Sequence, residues 1–509
     1  MKKTNKVQNN DVDFLELFKK SLALSFTVFL FGVQQSYANN NITPGGNYGT
    51  QIEGGTSNNT NITGGTINNG TGFHHFDQFQ VGQGGTANLI FAEGADRYVN
   101  MVNNQVSIYG IFNALKGGNI GGDVIFVSPG GLIVGSSGIM NVGSLQTITP
   151  SLTDYNRVLG TTNLSDITSL LSNSTSSSTR IDGKIFAKDS INIADGRSVT
   201  INKNADIVAG FNENGFDKSR LQGFKMSDIV NESGIVDSAY MTEGAGNISI
   251  VANTVNTSGV SDGSAHIIQS SGDITIDTPK VGDIGVITSG SKIYANGDVN
   301  IGNDAAQSGT GTVLIEQDVT ALGNVNIKAM ANIAQEADVT AGKNISIKAD
   351  IYNQTKDTVT TSTNSGTINI DGAAKLGRVI NKNGNIEIKA ATNSDLTFQN
   401  TVTAENGNIN VSSTSGNIIQ ADDTFDALQT KNGGTLSIRT YGPSMSIGSE
   451  SQALNLDVDG AVDISSVRGI SHLKSNNSTL TLGNISGVST LDAQSKKDIS
   501  IKDLSLIHI

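Results

Sequence analysis

From residue 247 onward the sequence repeats one small pattern. Gly usually leads into Asn, Asp or Thr, and two branched apolar residues follow with a single residue between them. The first apolar positions are Ile248, Ile274, Val299, Val325, Ile345, Ile368, Ile386, Ile409, Leu436, Val462, Leu480 and Ile499, spaced 18 to 27 residues apart and averaging about 23. Self-similarity at such a period marks a repeat architecture. Each period also breaks into two or three short alternating runs, as in Val313 and Ile315, then Val319, then Val325 and Ile327 after Gly323. Alternation sends one set of side chains to a single face. The pairs Asn296-Gly297, Asn383-Gly384, Asn406-Gly407 and Asn432-Gly433 suit the turns between such strands.

One coil of three short strands cannot bury its apolar face alone, whereas stacked coils can, with strands pairing above and below at about 4.8 Å. The expected fold is therefore all-β: a right-handed parallel β-helix, a single-stranded, pectin-lyase-like solenoid with small extra-helical excursions. The twelve positions would stack over roughly 55 Å at that spacing. An antiparallel sandwich also uses Asn-Gly turns, but it needs longer alternating runs and aromatic anchors. Two stretches interrupt the pattern. Residues 151–180 read as a polar loop with a short helix near Ile167 to Leu171, and residues 212–240 place Phe216, Leu221, Phe224 and Ile229 at loosely helical spacing.

Composition agrees with strands and turns. The chain of 509 residues has no Cys and no Trp, 5% aromatics, 59 Gly and only 5 Pro. Its formal charge of −13 opposes nucleic acid, whose phosphates it would repel, and suits solubility outside a cell. Lack of Cys removes disulfide and thiolate-metal chemistry. At the amino end, Ser21 to Val33 form an uncharged apolar run of 13 residues after Lys19 and Lys20. It is too short to span a bilayer. It runs to Ser36-Tyr37-Ala38, where small residues suit signal peptidase, so 1–38 is expected to be a signal peptide with an extended leading region, cut between Ala38 and Asn39. The last residues, 504–509, read as an adapter-derived tail on a fragment whose repeats are still running; a short natural strand is the other reading.

Residues 71–150 resemble the haemagglutination-activity, or two-partner-secretion, domain of filamentous haemagglutinin-like adhesins. The resemblance is carried by 72–82 (GFHHFDQFQVG), 86–91 (TANLIF), 113–115 (NAL), 122–135 (GDVIFVSPGGLIVG) and 138–145 (GIMNVGSL), and looks strongest toward leukotoxin-type filamentous adhesins. It implies a secretion module over 39–250, a continuing β-helix rod over 251–503, and an outer-membrane transporter as partner. It also implies a secreted or cell-surface location in a Gram-negative-type bacterium, with receptor binding in downstream regions. Where the family shows Asn-Pro-Asn-Gly, this chain has Ser128-Pro129-Gly130-Gly131, and the family's earlier Asn-Pro-Asn-Leu has no counterpart. For this turn both a structural role and contact with the transporter stay open.

Catalytic and ligand-binding patterns are not found in the sequence. Asp273, Asp298, Asp318 and Asp338 each fall near a turn of a separate coil and read as solvated turn caps rather than the clustered acids of a uronate-processing site. His74 and His75, adjacent in a strand, face opposite ways, which is poor metal geometry. His266 and His472 are isolated, and His508 lies in the suspect tail. No phosphate loop, nucleophile elbow or calcium nonapeptide is present. The expectation is a non-enzymatic adhesin without cofactor, metal or small-molecule substrate. An autotransporter passenger and a β-helical polysaccharide-degrading enzyme are the alternatives.

Overall fold

In the computed structural model the described residues are 39–170, 177–202, 205–257, 266–278, 286–302 and 311–503. The expected leader with Ala38, and the expected tail 504–509, lie outside the described residues, whereas Asn39 falls within them. The fold is all-β, and the strands from residue 71 onward pair with one another in parallel, apart from Asn119–Ile120, which folds back antiparallel on Leu115 and Lys116. Each strand stacks on the one that lies a full turn of the chain earlier, so the strands form three stacks. The first holds Arg97–Val102, Asp123–Val127, Ser144–Ile148 and Ile191–Ala194. The second holds Val106–Ile108, Leu132–Val134, Ser178–Ile181 and Ser198–Ile201. The third holds Ile111–Lys116, Ile139–Val142, Lys184–Ala187 and Asp206–Ala209.

The register of the first stack follows the sequence repeat. Ile248 pairs with Ile274, then in turn come Val299, Val325, Ile345, Ile368, Ile386, Ile409, Leu436 and Val462. Val462 then pairs with Leu482 and not Leu480, while Leu480 pairs with Ile499. The two-residue slip keeps the same face inward because side chains alternate with period two. The column also runs back through Ile191, Leu145, Val124 and Tyr98 to Gly72. The strand Ile248–Val251, where 39–250 was expected to give way to 251–503, is paired on both sides.

Inward residues of the three stacks join in one apolar cluster running from Ile42 to Ile485. At roughly 1.5–3 kcal/mol per fully buried aliphatic side chain, this column supplies the main driving force. Its aromatic part is concentrated early: Phe76 meets Phe79 edge-on at 4.9 Å, and Phe79 meets Phe126 at 5.2 Å and Phe112 at 5.9 Å. Gly72 is required beneath this group, because a Cβ there would stand 2.1 Å from the Tyr98 ring.

The first strands are antiparallel, unlike the expected uniform coil. Asn41–Pro44 runs antiparallel to the far half of Thr71–Val81, and Thr50–Glu53 to Asn59–Gly64. Asn59–Gly64 then lies parallel on Thr86–Ile90, so these strands cover an edge that would otherwise offer unpaired backbone groups.

Both irregular stretches fold onto the coil. Helices α1 (Leu152–Val158) and α2 (Leu164–Thr168) occupy part of the expected polar loop. Ser151 caps α1 by accepting the Asp154 N–H at 3.1 Å, and Asn163 caps α2 in the same way. Tyr155, Val158, Ile167 and Leu170 bury against the outward face of the first stack at Phe73, Val99, Met101, Ile125 and Val127. Helix α3 (Glu213–Ser219) and the loops after it bury Phe216, Met226, Ile229 and Val236 on the outward face of the third stack, at Ile111, Ile139, Phe186 and Val208. Leu221, expected on the buried side, is exposed, because α3 ends at Ser219.

Candidate functional site

The segments that carry the adhesin resemblance form consecutive turns of the coil, and their polar side chains meet across strands. Asn88, Asn113 and Asn141, each from a different motif segment, point outward from the third stack and are in register. Asn113 Nδ2 donates to Asn88 Oδ1 at 3.1 Å, and Asn141 Nδ2 donates to Asn113 Oδ1 at 2.9 Å. Asn88 Nδ2 donates onward to Asn61 at 3.1 Å, and the Ser219 hydroxyl of α3 closes the other end on Asn141 Oδ1 at 2.6 Å. Asn113 and Asn141 are buried, and the bonds along the ladder satisfy amides that burial would otherwise penalise. Nothing in the sequence singles out this set, because its consecutive members are 25 to 78 residues apart.

Ser128-Pro129-Gly130-Gly131 joins Asp123–Val127 to Leu132–Val134 and is held on both sides. Ser128 is buried and its hydroxyl donates to Asn104 O in the preceding turn. Gly130 N–H also donates to Asn104 O, at 3.2 Å, and Gly131 O accepts Val106 N–H at 3.0 Å. A Cβ on Gly130 would stand 2.7 Å from Gln105 N, and one on Gly131, at φ +77°, would stand 2.6 Å from Ser178 O of the following turn. The two glycines are therefore needed for close stacking of backbones.

His74 and His75 do face opposite ways. His74 points into the column, stacks on Tyr98 at 4.5 Å, and shares a 3.2 Å hydrogen bond with Thr50 Oγ1. Burial pushes its pKa down to about 3, so it is neutral at neutral pH. His75 points outward into a network: its Nε2 lies 2.8 Å from Asn103 Oδ1, which also accepts the Tyr155 hydroxyl of α1 at 3.1 Å. Asn103 Nδ2 in turn donates to Asp77 at 2.8 Å. His75 thus helps to dock α1. Asp195 is buried at the corner after Ile191–Ala194, and desolvation raises its pKa to about 6 against the pull of the Arg197 N–H and the Thr179 and Thr149 hydroxyls.

The expected turn caps are bonded between turns rather than merely solvated. Asp273 N–H donates to Asn247 Oδ1, Asp298 N–H to Asp273 Oδ1 and Asn324 N–H to Asp298 Oδ1, at 2.7–2.8 Å. Asp318 and Asp338 belong to a separate corner, where Asp318 Oδ1 accepts the Asp338 N–H at 3.3 Å and Asp338 Oδ1 the Val359 N–H at 2.8 Å. These carboxylates are acceptors for backbone groups. Among the described residues no group of three or more His, Asp or Glu is gathered as a metal site would require, and no helix is long and apolar enough to cross a membrane.

No protein-family model matches the sequence, and no curated protein matches it. Among solved structures, the HMW1 secretion domain from Haemophilus influenzae is similar at 10% identity and a TM-score of 0.24, covering 90% of this chain and 100% of that one. At that level of similarity the fold of this chain stands on its own strand pairing.

Proposed function

We infer that the chain is the leading part of a secreted surface adhesin, built as a right-handed, single-stranded parallel β-helix whose segment 39–250 is the export module and whose segment 251–503 begins the rod. One observation carries this: the five motif segments lie on successive turns of one coil, tied by the Asn61–Asn88–Asn113–Asn141 ladder and closed at one edge by antiparallel strands. Such an assembly is suited to folding from its amino end as the chain emerges on the outer surface. Each completed turn offers a hydrogen-bonding edge to the next, and stability in repeat proteins comes from neighbouring units. The early aromatic cluster adds large apolar side chains to the core of the first turns. The partner is an outer-membrane transporter of the two-partner type, and receptor binding belongs to regions further along the rod.

The Ser128–Gly131 turn serves this role structurally, since its hydroxyl, its amides and both glycines are engaged with neighbouring turns. The protein acts by binding and not by catalysis, which is supported by the commitment of Asp273, Asp298, Asp318 and Asp338 to backbone donors.

The test is export of a downstream reporter in a Gram-negative host that co-expresses a two-partner transporter. Removal of residues 39–250 is expected to abolish release of the reporter, and undiminished release would refute the export role. Gly131→Val is expected to lower both export and melting temperature, whereas Pro129→Ala should leave both nearly unchanged. Loss of export in Pro129→Ala with unaltered melting would instead assign the turn to transporter contact.

A further inference from the structure

Far from the motif segments, the outward face of the first stack carries a polar groove of about 540 Å³ between Ser346 and Tyr441, within the size range of ligand clefts. Strand register arranges its side chains in two parallel columns. One contains Lys348, Asp371, Lys389, Ser412 and Arg439 on successive turns; beside it run Asn369, Glu387 and Asn410. Asp371 is paired with Lys389 at 3.1 Å, and Glu387 Oε1 accepts from Asn410 Nδ2 at 2.7 Å. Lys348 and Arg439, four turns apart, make no ion pair among the described residues, and Tyr441, on the same strand as Arg439, is 58% exposed. The lining has three cations and two carboxylates, which makes it locally positive on a chain of net charge −13.

We propose that this groove binds an extended glycan bearing carboxylate groups, a uronate-containing polysaccharide, laid along the stack with its acids on Lys348 and Arg439 and a sugar face on Tyr441. Three features select this ligand. The two unpaired cations call for anions that are spaced apart, not contiguous. Asp371 and Glu387 in the same groove would repel a dense polyanion such as a heavily sulfated chain or a nucleic acid. The amides and hydroxyls of Asn369, Asn410, Ser412 and Ser437 offer donors and acceptors to sugar hydroxyls turn by turn, at a strand spacing of about 4.8 Å. An exposed aromatic ring beside a polar column gives the apolar face of a pyranose a place to stack.

The proposal gives the adhesive role a ligand class and rests on that role. Its failure would leave export untouched, because export is read from the secreted reporter. Calorimetric titration of the purified chain with tetragalacturonate, cellotetraose and a heparin tetrasaccharide tests it. Tetragalacturonate is expected to bind, to weaken as salt is raised, and to exceed cellotetraose by about tenfold or more. The double variant Lys348→Ala/Arg439→Ala should lose about tenfold or more for tetragalacturonate, and Tyr441→Ala should weaken it severalfold, with melting temperatures unchanged because all three side chains are exposed. Lys348→Arg/Arg439→Lys should retain binding. Absence of tetragalacturonate binding, equal affinity for cellotetraose, tighter binding of the heparin fragment, or unchanged affinity in the double alanine variant would overturn the assignment.

Discussion

Two buried ionisable side chains give the protein opposite responses to pH. His74 is neutral when folded, with a pKa near 3 against about 6.5 in an unfolded chain. Its contribution is complete above about pH 6.5 and is lost as pH falls toward 3, by up to about 1.4 kcal/mol per unit. Asp195 is raised to about 6, so its penalty is absent below its unfolded value of 3.8, grows as pH rises from there and is complete above about 6. The difference of about 2 units is worth about 3 kcal/mol at pH 7.5. Asp195→Asn is therefore expected to raise the melting temperature at pH 7.5 and to change it little at pH 4. His74→Phe, which keeps the stack on Tyr98, should flatten the acid limb between pH 6.5 and 4.5 relative to the parent. Thermal denaturation across pH 4–8 measures both. Parallel curves for parent and His74→Phe would show that the buried imidazole does not limit acid stability.

At the level of strands and helices, the sequence was most informative where connections are short. From Ile248 to Val462 the inward column follows the Ile/Val pattern turn by turn, because successive turns differ by only a few residues. Before that, Leu145 pairs with Ile191 and Ile191 with Ile248, across the insertions that hold α1, α2 and α3. Those long detours hide the period, so the early turns were legible only through the resemblance of their motifs. Helix α1 was missed because its buried set is just Tyr155 and Val158, too short a run for helical periodicity to register. The Asn ladder was illegible for a different reason: nothing in the sequence around Asn61, Asn88, Asn113 or Asn141 fixes which of many asparagines stack. Its energetic weight can be measured. Asn113→Ala leaves the buried amide of Asn141 and the partly buried one of Asn88 without their partner and is expected to cost about 2–4 kcal/mol. Ser219→Ala removes one terminal bond and should cost about 1 kcal/mol by urea denaturation. A cost for Asn113→Ala no greater than that for Ser219→Ala would mean that the interior bonds of the ladder add nothing to stability.

At the scale of the whole molecule, one corner of the early turns differs from the other two. Between the second and third stacks, Gly110, Gly138 and Gly183 lie over one another. A Cβ on any of them would come within 2.2–2.3 Å of carbonyl oxygens in the turn before it, those of Gly82 and Gly85, Ile108, and Gly135 and Gly138. The insertions holding α1, α2 and α3 leave from the other two corners, after Ile148 and after Ala209. In these early turns that glycine corner is a seam with no slack, whereas further along the same corner lengthens to the seven residues between Gln420 and Leu428, so foreign peptides grafted for display meet the constraint only near the start of the coil. A ten-residue graft between Lys328 and Asn332 is expected to leave a soluble, cooperatively melting protein. The same graft between Gly135 and Gly138 should lower the melting temperature markedly, because it removes the Gly138 N–H bond to Gly135 O and disturbs the close glycine contacts of that corner.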